Sequence, residues 1–331
     1  MVDLNLQLPE SFFKEEKRSD YVVSTRVKEM WAVGLDLLNE FDRVCKKYGL
    51  KYILDFGTLI GAIRHKGFIP WDDDIDVSMV REDYDKLMEI GPKEFKHPYF
   101  FQNQFTDKSF DMDITRLRRS DTASLNINDI LYGNKYNQGI FIDIYVFDYV
   151  PTNDECKVKK IHDSCRKYSS ALLAISHAPF SSGRIKPTAL NIIRYLYYKI
   201  RFGNLQNASK CLDKSSKRFG VSEYICLLHC NVKTIIRERK IYDDIIEVPF
   251  ENLKLPVPAA YDEVLTQCYG DYMTPVNYNK KLVLYVDPNR SYADIIKEDG
   301  FYERICDELS INPKDYQMSL IDFLKLRFKK K

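Results

Sequence analysis

Gly57-Thr58-Leu59-Ile60-Gly61 precedes Ile69-Pro70-Trp71-Asp72-Asp73-Asp74-Ile75-Asp76-Val77, and these two stretches together decide the fold. In an extended chain, Asp72, Asp74 and Asp76 share one face, with neighbouring side chains about 7 Å apart, and Asp73 points to the other face. Carboxylates this close repel each other unless a cation lies among them. Their hard oxygens suit Mg²⁺ or Mn²⁺. We predict metal ligation by Asp74 and Asp76, with Asp72 either a third ligand or a residue that orients one.

The Gly-Thr turn follows a predicted buried strand, Lys51 to Phe56, and begins a short helix. The first N–H groups of a helix have no partner within it, which makes them a site for anions. We therefore predict that Gly57 and Thr58 hold phosphates beside the metal. An ordinary turn is the alternative.

A further carboxylate, Asp143, interrupts the nearly continuous apolar run from Gly139 to Tyr149. Such a run predicts a strand covered on both faces, where a charge is costly unless it is paired or bound to metal. Asp143 is predicted to help hold a second ion or to take the proton of an attacking hydroxyl. A buried ion pair is the alternative, and Asp148 is the competing acid.

Two groups of basic residues are candidates for neutralising phosphate charge. One follows the short helix and the other lies on a predicted strand, where alternate residues share a face. Arginine binds phosphate through two N–H groups and lysine acts as a point charge. The candidates are Arg64, His65, Lys66, Arg116 and Arg118, with a solvated surface as the alternative.

Composition and charge fit a water-exposed globular protein. The chain has 331 residues, 45% of them hydrophobic and 30% charged, and a net charge of +2. This charge gives no general case for nucleic acid or a membrane surface. The N-terminal residues do not have the pattern of a signal peptide, and no apolar run approaches the ~18 residues of a membrane span.

The eight cysteines form no CxxC pair. Cys226, His229 and Cys230 could share a helix face, but a matching second pair of ligands is missing, so buried thiols are favoured over zinc. This cysteine usage predicts a reducing cytosolic location.

The pattern along the chain predicts five parts. They are an arm at 1–24, a catalytic core at 25–150, a helical and possible acceptor-binding subdomain at 151–240, a hairpin and helix returning to the core at 241–300, and a basic helical tail at 301–331.

Gly57 to Val77 resembles the signature of the LicD family, in the nucleotidyltransferase superfamily. Met79 to Tyr84, Phe250-Glu251-Asn252 and Tyr269 to Met273 resemble later elements of that family, so the resemblance covers roughly residues 25 to 275. Together with the predicted elements, it implies an α+β fold: a nucleotidyltransferase-like mixed sheet with flanking helices and a helical subdomain.

The resemblance also implies a function. LicD proteins are metal-dependent phosphotransferases that move phosphocholine from CDP-choline to surface glycans. Their relatives fukutin and fukutin-related protein move ribitol phosphate from a CDP-linked donor. For this chain we expect transfer of phosphocholine or a related phospho-alcohol to a glycan or teichoic-acid-type precursor, with release of CMP and with Mg²⁺ or Mn²⁺ bound by Asp72, Asp74, Asp76 and Asp143.

The resemblance leaves some alternatives open. Thr274 to Leu284 lacks the histidine often found after this family's Tyr-Gly-Asp-Tyr-Met element, which leaves the acceptor open. There are three rival functions: a nucleotidyltransferase that releases pyrophosphate, a DxD glycosyltransferase, and a non-catalytic glycan-binding protein. The Lys- and Arg-rich segment from Lys157 to Lys240 favours a solvated surface, with an anionic glycan or the inner membrane face as alternative partners.

Overall fold

The structure is a computed structural model that describes residues 2–126, 129–130, 133, 135–178, 189–230, 233–275 and 284–310. The strands and helices follow in chain order: β1 (Glu16–Arg18), β2 (Tyr21–Val23), α1 (Thr25–Tyr48), β3 (Ile53–Leu54), α2 (Phe56–Ile60), β4 (Asp76–Val80), α3 (Arg81–Glu94), β5 (Tyr99–Gln102), β6 (Thr115–Arg119), β7 (Ala123–Asn126), β8 (Ile140–Val150), α4 (Glu155–Ser176), α5 (Ala189–Phe202), α6 (Leu205–Ser216), β9 (Tyr224–Cys226), β10 (Ile236–Glu238), β11 (Ile245–Phe250), β12 (Leu253–Pro258), α7 (Tyr261–Tyr269), β13 (Leu284–Asp287), α8 (Tyr292–Ile295) and α9 (Phe301–Glu308).

A mixed sheet of seven strands forms the centre of the fold. Its main path runs β10-β9-β8-β4-β3, and β6 pairs with both β8 and β5. The β4–β8 pair is parallel, while the other pairs in this sheet are antiparallel. The long strand β8 therefore touches three partners, and the predicted mixed sheet with flanking helices is confirmed.

Helix α1 covers this sheet. Its N-terminus is capped by Ser24, whose Oγ accepts a hydrogen bond from the Val27 N–H at 3.4 Å. It ends at Gly49, which has the left-handed φ of 62° that glycine adopts without steric cost. Its buried face includes Trp31 and Phe41, which join the main core together with residues of the sheet. The apolar spacing of this segment thus predicted the helix and its buried face correctly.

Two of the predicted parts differ from what is observed. The segment 1–24 is more than an irregular arm, because β1 and β2 pair and Phe12 and Val23 are buried in the core. The segment 151–240 is not purely helical, because β9 and β10 extend the central sheet from β8. Of the predicted C-terminal tail, residues 311–331 lie outside the described residues.

Within the described ranges, no helix combines the length and the apolar character that crossing a membrane requires.

Candidate active site

Asp72, Asp73 and Asp74 follow a turn that closes at Ile69–Asp72, and they lie in an irregular segment that leads into β4. The Asp72 N–H donates to the Ile69 carbonyl at 2.9 Å, the Trp31 indole donates to the Asp72 carbonyl at 3.2 Å, and the strand begins only at Asp76. The prediction of one continuous aspartate strand is therefore wrong. The placement of Asp73 on an opposite face is also wrong, because its carboxylate converges with those of Asp72 and Asp74.

This segment instead gathers three acids. Carboxylate oxygens of Asp72, Asp73 and Asp74 all lie within 4.8 Å of one another. A group of oxygens this close is typical of a site for a hard divalent cation. Asp73, which the sequence argument set aside, therefore joins the candidate ligands.

Asp76 and Asp143 lie side by side. They are register partners on the parallel strands β4 and β8, and the Asp143 N–H donates to the Ile75 carbonyl at 2.8 Å. Asp76 is buried, and its Oδ1 has no hydrogen-bond partner in the part of the chain that the structure describes. Burial first, and then the charges of Asp74, Asp143 and Asp72, raise the pKa of Asp76 well above its usual range. The structure thus brings the predicted acids into one electrostatic group.

Asp143 also forms an ion pair. Arg116, its register partner on β6, donates from Nε to Asp143 Oδ1 at 2.6 Å, and its guanidinium lies 3.8 Å from the centre of the Phe141 ring. Burial alone would lower the pKa of Arg116, but the charge and the hydrogen bond of Asp143, together with smaller effects of Tyr136 and Tyr145, raise that pKa overall. Asp143 therefore forms the buried ion pair that was the alternative in the sequence analysis, and it also lies beside Asp76.

The Gly-Thr turn packs directly against these acids. Thr58 Oγ1 accepts a hydrogen bond from the Asp76 N–H at 2.8 Å, so this hydroxyl fixes the start of β4. A Cβ atom at Gly57 would lie 2.8 Å from Asp72 Oδ2, so a larger residue there would displace that carboxylate. The N–H of Phe56, the first residue of α2, is already paired with Asp55 Oδ1 at 2.8 Å. An anion at this turn would have to use the N–H groups that follow.

The basic cluster after α2 is mostly engaged within the protein. Arg64 donates from Nη1 to the Tyr272 carbonyl at 2.6 Å, which ties it to the Tyr269–Met273 element. Burial first, and then the charges of Arg64 and Arg18, lower the pKa of His65 to about 4. His65 is therefore neutral at pH 7 in the ligand-free protein, and its role in neutralising phosphate charge stays a prediction. Lys66 is exposed, and its carbonyl accepts a hydrogen bond from the Glu251 N–H at 2.8 Å.

Arg118 lies in the interior and does not reach the acids. Its Nε donates to Gln102 Oε1 and its Nη1 donates to the Gly139 carbonyl at 2.6 Å, while the residue is only 1% exposed. Burial, and then the charge of Arg116, lower the pKa of Arg118 to about 9. Its predicted contact with a donor phosphate is wrong because these internal acceptors take up its guanidinium.

Asp55 is a residue that the sequence argument missed. It receives two hydrogen bonds from Arg237, at 2.5 and 2.8 Å, and one from the Ser78 hydroxyl at 2.6 Å, while it caps α2 through the Phe56 N–H. Both charged side chains are almost completely buried. A carboxylate at the end of a predicted buried strand was the available signal, because such a charge requires a partner.

Asp148, the competing acid, belongs to another network. Arg81 donates from Nε to Asp148 Oδ1 at 2.6 Å, and Arg81 Nη2 lies 3.1 Å from His229 Nε2. His229 Nε2 is also 2.9 Å from the Ser216 hydroxyl. His229, which the sequence grouped with two cysteines, thus contacts an arginine and a serine.

Two cavities flank the acids. The first, which we call the aromatic cavity, has a volume of about 510 Å³, and its wall includes Tyr21, Trp71, Tyr285, Asp72 and Asp73. The second, which we call the basic groove, has a volume of about 760 Å³, and its wall carries three basic residues and two acidic ones: Lys159, Arg166, Lys233, Glu155 and Asp163. The charges of Asp55 and Asp76 contribute to raising the pKa of Tyr269, which also lines this groove, after burial, so the groove lies close to the acids.

The same region of the chain matches a family model. Residues 49–167 match the model described as LicD/FKTN/FKRP, nucleotidyltransferase domain. This chain carries a LicD-family nucleotidyltransferase domain. The LicD-family match contains the Gly-Thr turn, the aspartate segment and Asp143, so it coincides with the acids and the turn described above.

Curated relatives extend this match. The chain is 29% identical over 258 residues, 75% of its length and 91% of the relative's, to the lipopolysaccharide cholinephosphotransferase LicD of Haemophilus influenzae. It is 28% identical over 85 residues, 26% of its length and 17% of the relative's, to the human ribitol 5-phosphate transferase FKRP. The predicted family and the predicted enzyme class, a LicD-type transferase, are confirmed.

Proposed function

We propose that this LicD-family chain transfers phosphocholine from CDP-choline to a hydroxyl of a surface glycan or teichoic-acid-type precursor, with release of CMP and with Mg²⁺ or Mn²⁺ bound. The observation that carries the proposal is Asp76. Its buried Oδ1, for which the described residues provide no hydrogen-bond partner, lies in a group of carboxylates beside the Gly-Thr turn. A match over 75% of this chain is to a protein named as a cholinephosphotransferase, which supports the choice of alcohol.

The residues present fit a divalent ion. A buried carboxylate oxygen without a partner, among further carboxylates, is a costly arrangement that a cation relieves. Asp72, Asp74 and Asp76 would hold the ion, with Asp73 and Asp143 as further donors. When bound, such ions neutralise charge on the attacking and leaving oxygens of a phosphoryl transfer.

The chain's own groups would orient the reactants. The N–H groups of Gly57 and Thr58 are the candidates for the donor's phosphates, because the Phe56 N–H is taken by Asp55. Asp143 is the candidate acceptor for the proton of the attacking hydroxyl, and the hydrogen bond from Arg116 fixes the orientation of its carboxylate.

The two cavities suit two substrates. A quaternary ammonium group binds on aromatic faces close to carboxylates, and Tyr21 and Trp71 provide such rings beside Asp72 and Asp73. Tyr285 is less available, because Arg26 lies 5.9 Å from its ring centre. We assign the choline end of the donor to the aromatic cavity and an anionic acceptor to the basic groove. Trp71→Leu should therefore raise KM for CDP-choline more than for CDP-ribitol.

Product analysis tests the proposal. The chain is incubated with CDP-choline, Mg²⁺ and a teichoic-acid-type acceptor, and CMP formation is followed by chromatography. Asp74→Asn and Asp76→Asn should each lose activity by several orders of magnitude, because one metal ligand is removed. Asp20→Asn is the matched control, since that side chain is 93% exposed.

Other products would identify the rival functions. Pyrophosphate formed from CTP would indicate a nucleotidyltransferase, and a nucleoside diphosphate formed from a nucleotide sugar would indicate a glycosyltransferase. Binding of glycan without turnover of any of these donors would indicate a non-catalytic protein. The cytosolic location remains a prediction that fractionation of cells would test.

A further inference from the structure

Helix α5 exposes an apolar stripe to solvent. The stripe consists of Ile193, Leu196, Tyr197 and Ile200, which are 62%, 49%, 52% and 85% exposed. Their spacing of three and four residues places all of them on one side of the helix. Single exposed apolar residues are common, but a continuous row along a helix indicates a contact surface.

The opposite side of α5 attaches the helix to the protein. Phe202 is buried with Leu172 and Ile175 of α4, and Tyr198 packs against the same group. Since α5 is held from this side, its apolar stripe faces away from the fold and is available for a partner.

The charges on α5 determine what kind of partner fits. The helix contains no aspartate or glutamate, and its basic residues are Arg194, Lys199 and Arg201. With about 100° between successive residues, Lys199 lies along one edge of the stripe, and Arg194 and Arg201 lie along the other. An apolar stripe with a basic residue on each side is the pattern of a helix that lies in a membrane interface.

We propose that α5 docks this protein on an anionic lipid bilayer, with the apolar stripe inserted between the acyl chains and the three basic residues at the headgroups. The helix has 14 residues and is thus about 21 Å long. This is less than the ~30 Å of a hydrocarbon core, so α5 would lie along the surface. The proposal does not depend on the transfer reaction.

Vesicle flotation of the full chain tests this docking. Vesicles of phosphatidylglycerol with phosphatidylcholine should carry the wild-type protein upward, and vesicles of phosphatidylcholine alone should carry much less. Ile200→Asp and Ile193→Asp should each lower the protein's partition constant onto the anionic vesicles about tenfold, because an apolar contact with the acyl chains is lost. Val221→Asp is the matched control, since Val221 is 80% exposed elsewhere in the chain, and it should bind normally.

A charge variant separates the two contributions. Lys199→Gln leaves the stripe intact, so it should weaken binding to anionic vesicles several-fold and reduce the dependence of binding on salt. Circular dichroism would check that each variant keeps its helix content.

Three results would overturn the proposal. They are equal binding of wild type and stripe variants, equal loss in Val221→Asp, and a lipid-free dimer in light scattering that Ile200→Asp dissociates. The dimer would show that a second copy of the chain covers the stripe.

Discussion

Asp76→Asn is expected to stabilise the metal-free protein while it removes transfer activity. Asp76 is only 8% exposed, its Oδ1 has no partner among the described residues, and four other carboxylates raise its pKa. Burial and neighbouring carboxylates that raise a carboxyl pKa destabilise its ionised form by about 1.4 kcal/mol for each pKa unit. Since asparagine keeps the shape but not the charge, we expect a gain of about 1–2 kcal/mol, which for a chain of 331 residues is about 1–3 °C in Tm.

Asp143→Asn is the matched control and should act in the opposite direction. Asp143 is the register partner of Asp76, but it receives a hydrogen bond from Arg116 at 2.6 Å. Removal of its charge leaves the buried Arg116 without its counter-ion, which costs about 3–5 kcal/mol. Two neighbouring aspartates are thus expected to give stability changes of opposite sign.

Scanning calorimetry in a chelating buffer measures both changes, and a repeat with Mg²⁺ tests the metal. The wild type should gain stability with Mg²⁺, whereas Asp76→Asn should gain much less. A lower Tm for Asp76→Asn in chelator would refute the reasoning, because it would make Asp76 a structural acid. An equal response of both proteins to Mg²⁺ would remove Asp76 from the set of ligands.

Three further changes test the packing and charge around the site. Arg237→Met should cost about 3–5 kcal/mol in urea unfolding, because it leaves Asp55 buried without its partner, whereas the more exposed Arg239→Met should cost under about 1 kcal/mol; similar losses would contradict this. Gly67→Ala should cost about 1–3 kcal/mol, since a Cβ would lie 2.0 Å from Glu251 Oε1, and Gly220→Ala, with open space, should be nearly neutral in the same assay. Burial first, and then Arg81, lower the pKa of His229 to about 4. Between pH 6.5 and 4, His229 is therefore protonated in the unfolded chain but not in the folded protein. The free energy of unfolding is thus highest above pH 6.5 and decreases as the pH is lowered. His229→Gln should abolish about 2 kcal/mol of the decrease between pH 7 and pH 5, and unchanged pH dependence of the unfolding free energy would refute this.

Local patterns predicted the elements of the fold well, because each depends on residues close in sequence. The apolar spacing from Thr25 to Tyr48 matches α1, and the run around Asp143 matches β8. The sequence analysis did not predict β9 and β10, the two strands that extend the central sheet. They have only three residues each and follow a long helical region.

The candidate site was predicted in part. The nearness of Asp76 and Asp143 followed from motif order, whereas the irregular segment that gathers Asp72, Asp73 and Asp74 did not follow from strand periodicity. Side-chain partners from distant segments could not be predicted from the sequence either. No local pattern relates Arg237 to Asp55 or places Arg118 in the interior, since such pairs arise only when the strands are assembled.

The pairing of Arg237 with Asp55 has a practical consequence for anyone trimming this protein. The match to the family model ends at residue 167, yet Arg237, Glu251 and strand β9 close the turn and the sheet from beyond that limit. An expression clone cut to the residues that match the family model would leave Asp55, at the start of the Gly-Thr turn, without its buried partner Arg237. The smallest autonomous fragment must therefore reach past the β11–β12 hairpin.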